Sequence, residues 1–158
     1  MSSITRVIYV ISDLHLGGAA DPGKRGFRIC THEVELAAFV HSLTLLNNNS
    51  PRIELVINGD MVDFLAERTT EIKSKWSAFH YPENNAIQIL DRIVQRSALV
   101  FEALQRFLAR GHRLVILPGN HDIELNLPAV RNRLREHVGA KYGGDYEFIG
   151  RSPHDFLA

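Results

Sequence analysis

Val7-Ile8-Tyr9-Val10-Ile11-Ser12-Asp13-Leu14-His15 is the stretch on which the reading of this chain turns. Five consecutive apolar residues, bounded by a polar cluster, predict a buried strand. Asp13 and, two places on, His15 fall where that strand ends. In an extended segment residues i and i+2 point to the same side, so these two side chains can converge on one point. A carboxylate and an imidazole meeting beside an apolar core form a donor pair suited to a divalent cation.

Outward from this stretch, the same device recurs twice. Ile53 to Asn58 (IELVIN) reads as a second strand and runs into Gly59-Asp60-Met61-Val62-Asp63; the glycine permits a tight turn, which places Asp60 at the strand's carboxyl end. Arg113 to Leu117 (RLVIL) reads as a third and opens into Pro118-Gly119-Asn120-His121-Asp122. Helical signals lie between them. Thr31 is placed to cap a helix with Glu33 and Glu35 in its first turn, and Leu36, Phe39, Val40 and Leu43 give that helix an apolar face. Ala86 to Arg110 carries one continuous apolar stripe ended by Gly111, and Pro128 suits the first turn of a helix running to about Val138. Tyr146 to Ile149 reads as a fourth strand.

Strand and helix therefore alternate, and the first three strands are apolar throughout. That order predicts an α/β fold with a mostly parallel sheet and helices on its faces, on both sides. Ligands of such sheets bind outside the carboxyl ends of the strands, where all three polar clusters fall. Gly17 to Gly26 is too rich in glycine for a regular element and reads as a connector beside the site. Glu67 to Asn85 loses periodicity; it reads as an insertion packing Trp76, Phe79 and Tyr81 on themselves, with a lid over the site as the alternative.

Composition narrows the class further. The length of 158 residues suits a single domain over residues 1–158. Lys plus Arg equals Asp plus Glu at 18 each, so nothing in the overall charge points to nucleic acid. No run approaches the ~18 apolar residues of a membrane span. Cys30 is the single cysteine, so no internal disulfide forms; it reads as a small hydrophobe near a helix start, and the chain is expected in the cytoplasm.

Asp13-Leu14-His15, Gly59-Asp60-Met61-Val62-Asp63 and Gly119-Asn120-His121-Asp122 together resemble the first three motifs of the calcineurin-like binuclear metallophosphoesterases, D-x-H, G-D-x-x-D and G-N-H-D/E. The resemblance runs from about residue 6 to 138. It implies a four-layer αββα sandwich and hydrolysis of a phosphate ester, mono- or diester, by a water activated between two metal ions. It also implies roles. Asp13 and His15 would bind the first metal, Asp60 would bridge both, and Asn120 would bind the second through its amide oxygen. His121 would face the substrate as general acid or as stabiliser of the leaving oxygen, with Asp63 holding it protonated and aimed. Mixed oxygen and imidazole donors suit manganese, iron or zinc better than calcium without choosing among the three; two manganese ions are the expectation, with iron or zinc as the alternatives. The substrate would be a phosphorylated small molecule or a phosphodiester.

The sequence departs from the family after the third motif, since it contains no G-H-x-H. His137 sits near a helix end, where a histidine meets the dipole. His154 stands where the family's intermediate histidine ligand would fall. The expectation is an N-terminal part of a longer phosphoesterase, truncated at the carboxyl end, with its second sheet incomplete, one sheet face uncovered and self-association through that face. A catalytically impaired module of the same fold, acting as a binding scaffold, is the alternative.

Overall fold

The computed structural model describes residues 6–18, 28–46, 52–67, 83–140 and 144–150. Its strands β1 (Arg6–Ile11), β2 (Arg52–Asn58), β3 (Arg113–Leu117) and β4 (Asp145–Phe148) lie side by side in that order, every pair parallel. Helix α1 (Glu33–Leu45) joins β1 to β2; α2 (Glu83–Arg96) and α3 (Ala98–Ala109) join β2 to β3; a 3₁₀ turn (Ile123–Asn126) and α4 (Pro128–His137) join β3 to β4. The three apolar runs and the shorter fourth segment are thus strands, and the α/β class with a parallel sheet is as expected.

The register decides which side chains share a face. Tyr9, Leu55, Leu114 and Tyr146 form one row and Ile11, Ile57, Ile116 and Phe148 the next. These rows meet the helices: the buried cluster joins Leu55, Ile57, Leu114 and Ile116 to Val40 of α1, Leu90 and Ile93 of α2, Phe101, Leu104 and Phe107 of α3, and Val130 and Leu134 of α4. Each such fully buried side chain contributes about 1.5–3 kcal/mol. On the opposite face the rows read Ile8, Glu54, Arg113, Asp145 and Val10, Val56, Val115, Glu147. No helix among the described residues covers them, and Ile8 and Val10 of the edge strand are 45% and 62% exposed. Helices on both faces were expected; they gather on one. The reason is topological. Parallel strands added in sequential order through right-handed crossovers put every crossover helix on the same side. Ion pairs occupy the amino end of the open face, where Glu54 meets Arg6 at 3.2 Å and Arg113 at 3.5 Å, and Asp145 meets Arg113 at 2.9 Å.

Two helix expectations change. The stripe from Ala86 to Arg110 is two helices, broken at Ser97, whose hydroxyl is turned inward to donate to Glu33 Oε1 at 2.7 Å. The N-cap of α1 is His32 rather than Thr31, and no side chain caps it; Glu33 is drawn into the interior by Ser97 and by Arg28 at 2.6 Å. Pro128 opens α4 as expected. His137, placed by sequence against a helix dipole, also binds Asp91 of α2 at 2.6 Å, and Arg133 pairs with the same carboxylate at 2.7 Å. Cys30 is half-buried against the core, as a small hydrophobe should be.

His112, just before β3, is wholly buried and stacks on Phe107 with ring centroids 4.7 Å apart. Burial holds its pKa below the usual histidine value; the Thr44 backbone opposes that shift, and Arg52 and Arg110 add to it. The folded state therefore keeps His112 neutral while the unfolded chain takes up a proton near pH 6.5. Stability attributable to this group is present above pH 6.5 and falls as pH drops below it. Urea unfolding between pH 7.5 and 5 is expected to show a falling midpoint, with a shallower fall in His112→Phe.

Candidate metal centre

The polar clusters at the carboxyl ends of β1, β2 and β3 meet at one place, and the backbone that brings them there is not extended. Asp13, His15 and Asp60 have φ of 55°, 45° and 47°, the only described non-glycine residues in the left-handed region. Asp and His tolerate that region better than most residues, at about 1–2 kcal/mol each. The convergence of Asp13 and His15 thus comes from two left-handed turns, not from the alternation of an extended strand. Hydrogen bonds between the strand exits hold those turns: Asp13 N donates to Gly59 O at 3.2 Å, His15 N to Asp60 O at 2.9 Å, and Leu16 N to Met61 O at 3.1 Å. Asp63 N donates back to Leu16 O at 2.9 Å, and Leu16 pairs with Val62 as an isolated parallel bridge. The two loops are in effect a continuation of the β1–β2 ladder.

The third loop comes equally close. A Cβ on Gly119 would lie 2.6 Å from Asp60 Cγ, so no other residue fits there. His121 N donates to Asp60 Oδ1 at 2.8 Å, which fixes that carboxylate and leaves Oδ2 facing His15 Nε2 at 3.9 Å. Asp13, His15 and Asp60 each offer one donor atom, all within 4.8 Å of one another.

Asp63 is fully buried, and its Oδ2 accepts from two imidazoles, His15 Nδ1 at 3.2 Å and His121 Nδ1 at 3.0 Å. Its Oδ1 accepts from Ala66 N at 2.9 Å. A carboxylate accepts only, so both Nδ1 atoms carry the proton and both Nε2 atoms face away from Asp63. The rings stand edge to face with centroids 4.7 Å apart. The resemblance assigned Asp63 to His121 alone; it serves His15 as well. An imidazole held by a carboxylate on one nitrogen and free on the other is the usual form of a metal-binding histidine. His15, Asp63 and His121 also lie within 4.8 Å of one another, but their two closest approaches are hydrogen bonds, which closes that group as a cation cage.

Asp122 carries a role that its motif position did not disclose. It is fully buried beneath the site, and its carboxylate accepts from Gly119 N at 2.5 Å, Met61 N at 2.8 Å and Val62 N at 3.4 Å. It ties the second loop to the third. Burial pushes its carboxyl up to about 6; the three N–H groups pull the other way, and the nearby charge of Asp60 adds to the rise. The sequence signal for this latch was only an acid beside a Gly-Asn turn.

Glu67 forms a similar tie at the site's margin. It is buried, accepts from Gly18 N at 2.8 Å and meets Arg96 of α2 at 2.9 Å. Asn120 is exposed at the mouth of β3. His154 lies outside the described residues, as do most of the connector after Gly18 and the aromatic segment carrying Trp76, Phe79 and Tyr81. Among the described residues no helix is long and apolar enough to cross a membrane.

The donor set fits a divalent cation: two carboxylates and an imidazole on fixed backbone, the imidazole oriented by Asp63. The family model for calcineurin-like phosphoesterases matches residues 6–157. No curated protein and no solved structure gives a match.

Removing the Asp122 latch strands three backbone donors in the interior. Asp122→Ala is expected to lower unfolding stability by about 3 kcal/mol, read from urea denaturation.

Proposed function

The chain belongs to the calcineurin-like phosphoesterase family, and we propose that it hydrolyses a phosphate ester using two divalent cations, manganese ahead of iron or zinc. The observation that carries this reading is the triangle of Asp13, His15 and Asp60, with His15 and His121 held by one buried carboxylate. In this reading Asp13, His15 through its Nε2, and Asp60 would hold the first cation, and Asp60 with the amide oxygen of Asn120 would contribute to the second. When bound, the pair supplies charge neutralisation at the phosphoryl group and a water of lowered pKa.

The remaining work falls to the chain itself. Asp63 and the buried loop ladder keep His15 in one orientation, so binding does not have to order it. His121 has its Nδ1–H engaged by Asp63 and its Nε2 turned away; as the imidazolium it would deliver the Nε2 proton to a leaving oxygen. Its own backbone N–H meanwhile holds Asp60, so a single residue links the proton donor to the proposed bridging ligand. A scaffold would need a folded loop cluster but not an imidazole aimed outward from a buried acid. That favours the enzyme over the binding module.

Calorimetric titration with Mn²⁺ is expected to give two equivalents bound, and the loaded protein should hydrolyse p-nitrophenyl phosphate or its bis ester. Asp60→Ala should abolish both. Absence of stoichiometric Mn²⁺ binding in the wild type sinks the proposal. His121→Asn should leave metal stoichiometry intact while lowering kcat by about 10²- to 10⁴-fold, the range of a lost general acid.

A further inference from the structure

A cleft of about 350 Å³ opens beside Asp13, at the small end of the size range for sites that hold small molecules. Its apolar lining comes from Leu14, Ile29 and Leu36, and its polar lining from Thr31, His32 and Glu35. Ile29 is 43% exposed, a large aliphatic side chain facing solvent within a concave surface. The wall carrying it has no regular secondary structure, yet it is locked. Arg28 Nε donates to Cys30 O at 2.9 Å, and Arg28 pairs with Glu33 at 2.6 Å. Glu33 in turn accepts from the buried hydroxyl of Ser97 at 2.7 Å. This network, buried at Glu33 and Ser97, serves neither the candidate cation site nor the sheet. Its effect is to hold Ile29 to His32 in place at the rim of the site, which is the preorganisation a binding surface benefits from.

The charge of the cleft is one-sided. Asp13 and Glu35 are acids, and the only described basic side chain lining it is His32, 3.9 Å from Glu35. With Asp13 committed to a cation, Glu35 is the acid that remains on this rim, and a second phosphate or carboxylate on the ligand would meet its repulsion. An apolar body, neutral or cationic, would be covered by Leu14, Ile29 and Leu36.

We propose that this cleft seats the alcohol half of the phosphate ester and selects an alcohol with an apolar body and no second anionic group. The identity of the bound half rests on the phosphoesterase reading, through the contact of the cleft with Asp13. The cleft's preference for an apolar body rests on its lining alone.

The test is equilibrium binding of 2-naphthylmethylphosphonate, an uncleavable stand-in for the aryl ester 2-naphthyl phosphate, to the whole Mn²⁺-loaded chain, followed by naphthyl fluorescence, with inorganic phosphate as competitor. The phosphonate is expected to bind at least tenfold tighter than inorganic phosphate. Ile29→Ser, a substitution at an exposed position, should weaken the phosphonate about tenfold by withdrawing aliphatic contact, with inorganic phosphate unchanged. Glu35→Lys, also exposed, should tighten binding of fructose 1,6-bisphosphate several-fold. Equal affinity for phosphonate and phosphate, or an Ile29→Ser variant that binds the phosphonate as the wild type does, overturns the assignment of the cleft. Unchanged bisphosphate affinity in Glu35→Lys overturns the acidic rim as the selector. Turnover of 2-naphthyl phosphate itself separates the two readings: binding that depends on Ile29 without any hydrolysis keeps the cleft and removes the phosphoesterase function.

Discussion

The site depends on backbone hydrogen bonds that continue a parallel ladder past the ends of its strands. Asp13, His15 and Asp60 each sit in the left-handed region, and three such residues cost several kcal/mol together. Left alone, the loops would relax to ordinary turns and the side chains would scatter. The bonds from Asp13, His15 and Leu16 to Gly59, Asp60 and Met61, answered by Asp63 to Leu16, make the unfavourable conformations mutually dependent. Strain of this kind persists only where surrounding structure over-determines it, and here that structure is the neighbouring loop.

Beneath these loops the protein concentrates carboxylates. Asp60, Asp63 and Asp122 are all buried, and Asp13 stands at the surface beside them. Each of the three is assigned a different partner. Asp122 takes backbone N–H groups, Asp63 takes two imidazoles and the Ala66 N–H, and Asp60 takes one backbone N–H while its second oxygen stays open toward His15. Buried acids that are fully engaged act as structure, while an oxygen left open among acids invites a cation. The contrast between the satisfied Asp63 and Asp122 and the open side of Asp60 is therefore the physical mark of the site.

The sheet has a second asymmetry. One face is sealed by four helices, and the other carries an ionic cluster at its amino end and the aliphatic residues Ile8, Val10 and Val56. In β1 the open-face residues Ile8 and Val10 are as apolar as Tyr9 and Ile11 on the closed face, which is why a run such as VIYVI suggested cover on both sides. Composition reports that a strand is apolar; it does not report in which order the strands assemble, and strand order decides where the helices go. The helix break at Ser97 was hidden for a similar reason. A serine within an apolar stripe is compatible with a continuous helix, and only its partnership with Glu33, 64 residues away, explains the interruption.

By itself, the sequence determined the strands, their apolar character and the placing of three polar clusters where strands end, because periodicity and run length are local properties. It also determined the family, because three short motifs in the right order at strand ends are jointly specific. Only the tertiary structure decided that Asp13 and His15 converge through left-handed turns, that Asp63 serves two histidines, that Asp122 latches two loops, and that a locked wall shapes a cleft beside Asp13. Each of these rests on contacts between residues roughly 45 to 65 positions apart, or on backbone angles that no residue type compels. The Asp-x-His that ends the first strand was legible as a pair of donors; what gathers those donors beside Asp60 is the second strand exit that holds them in place.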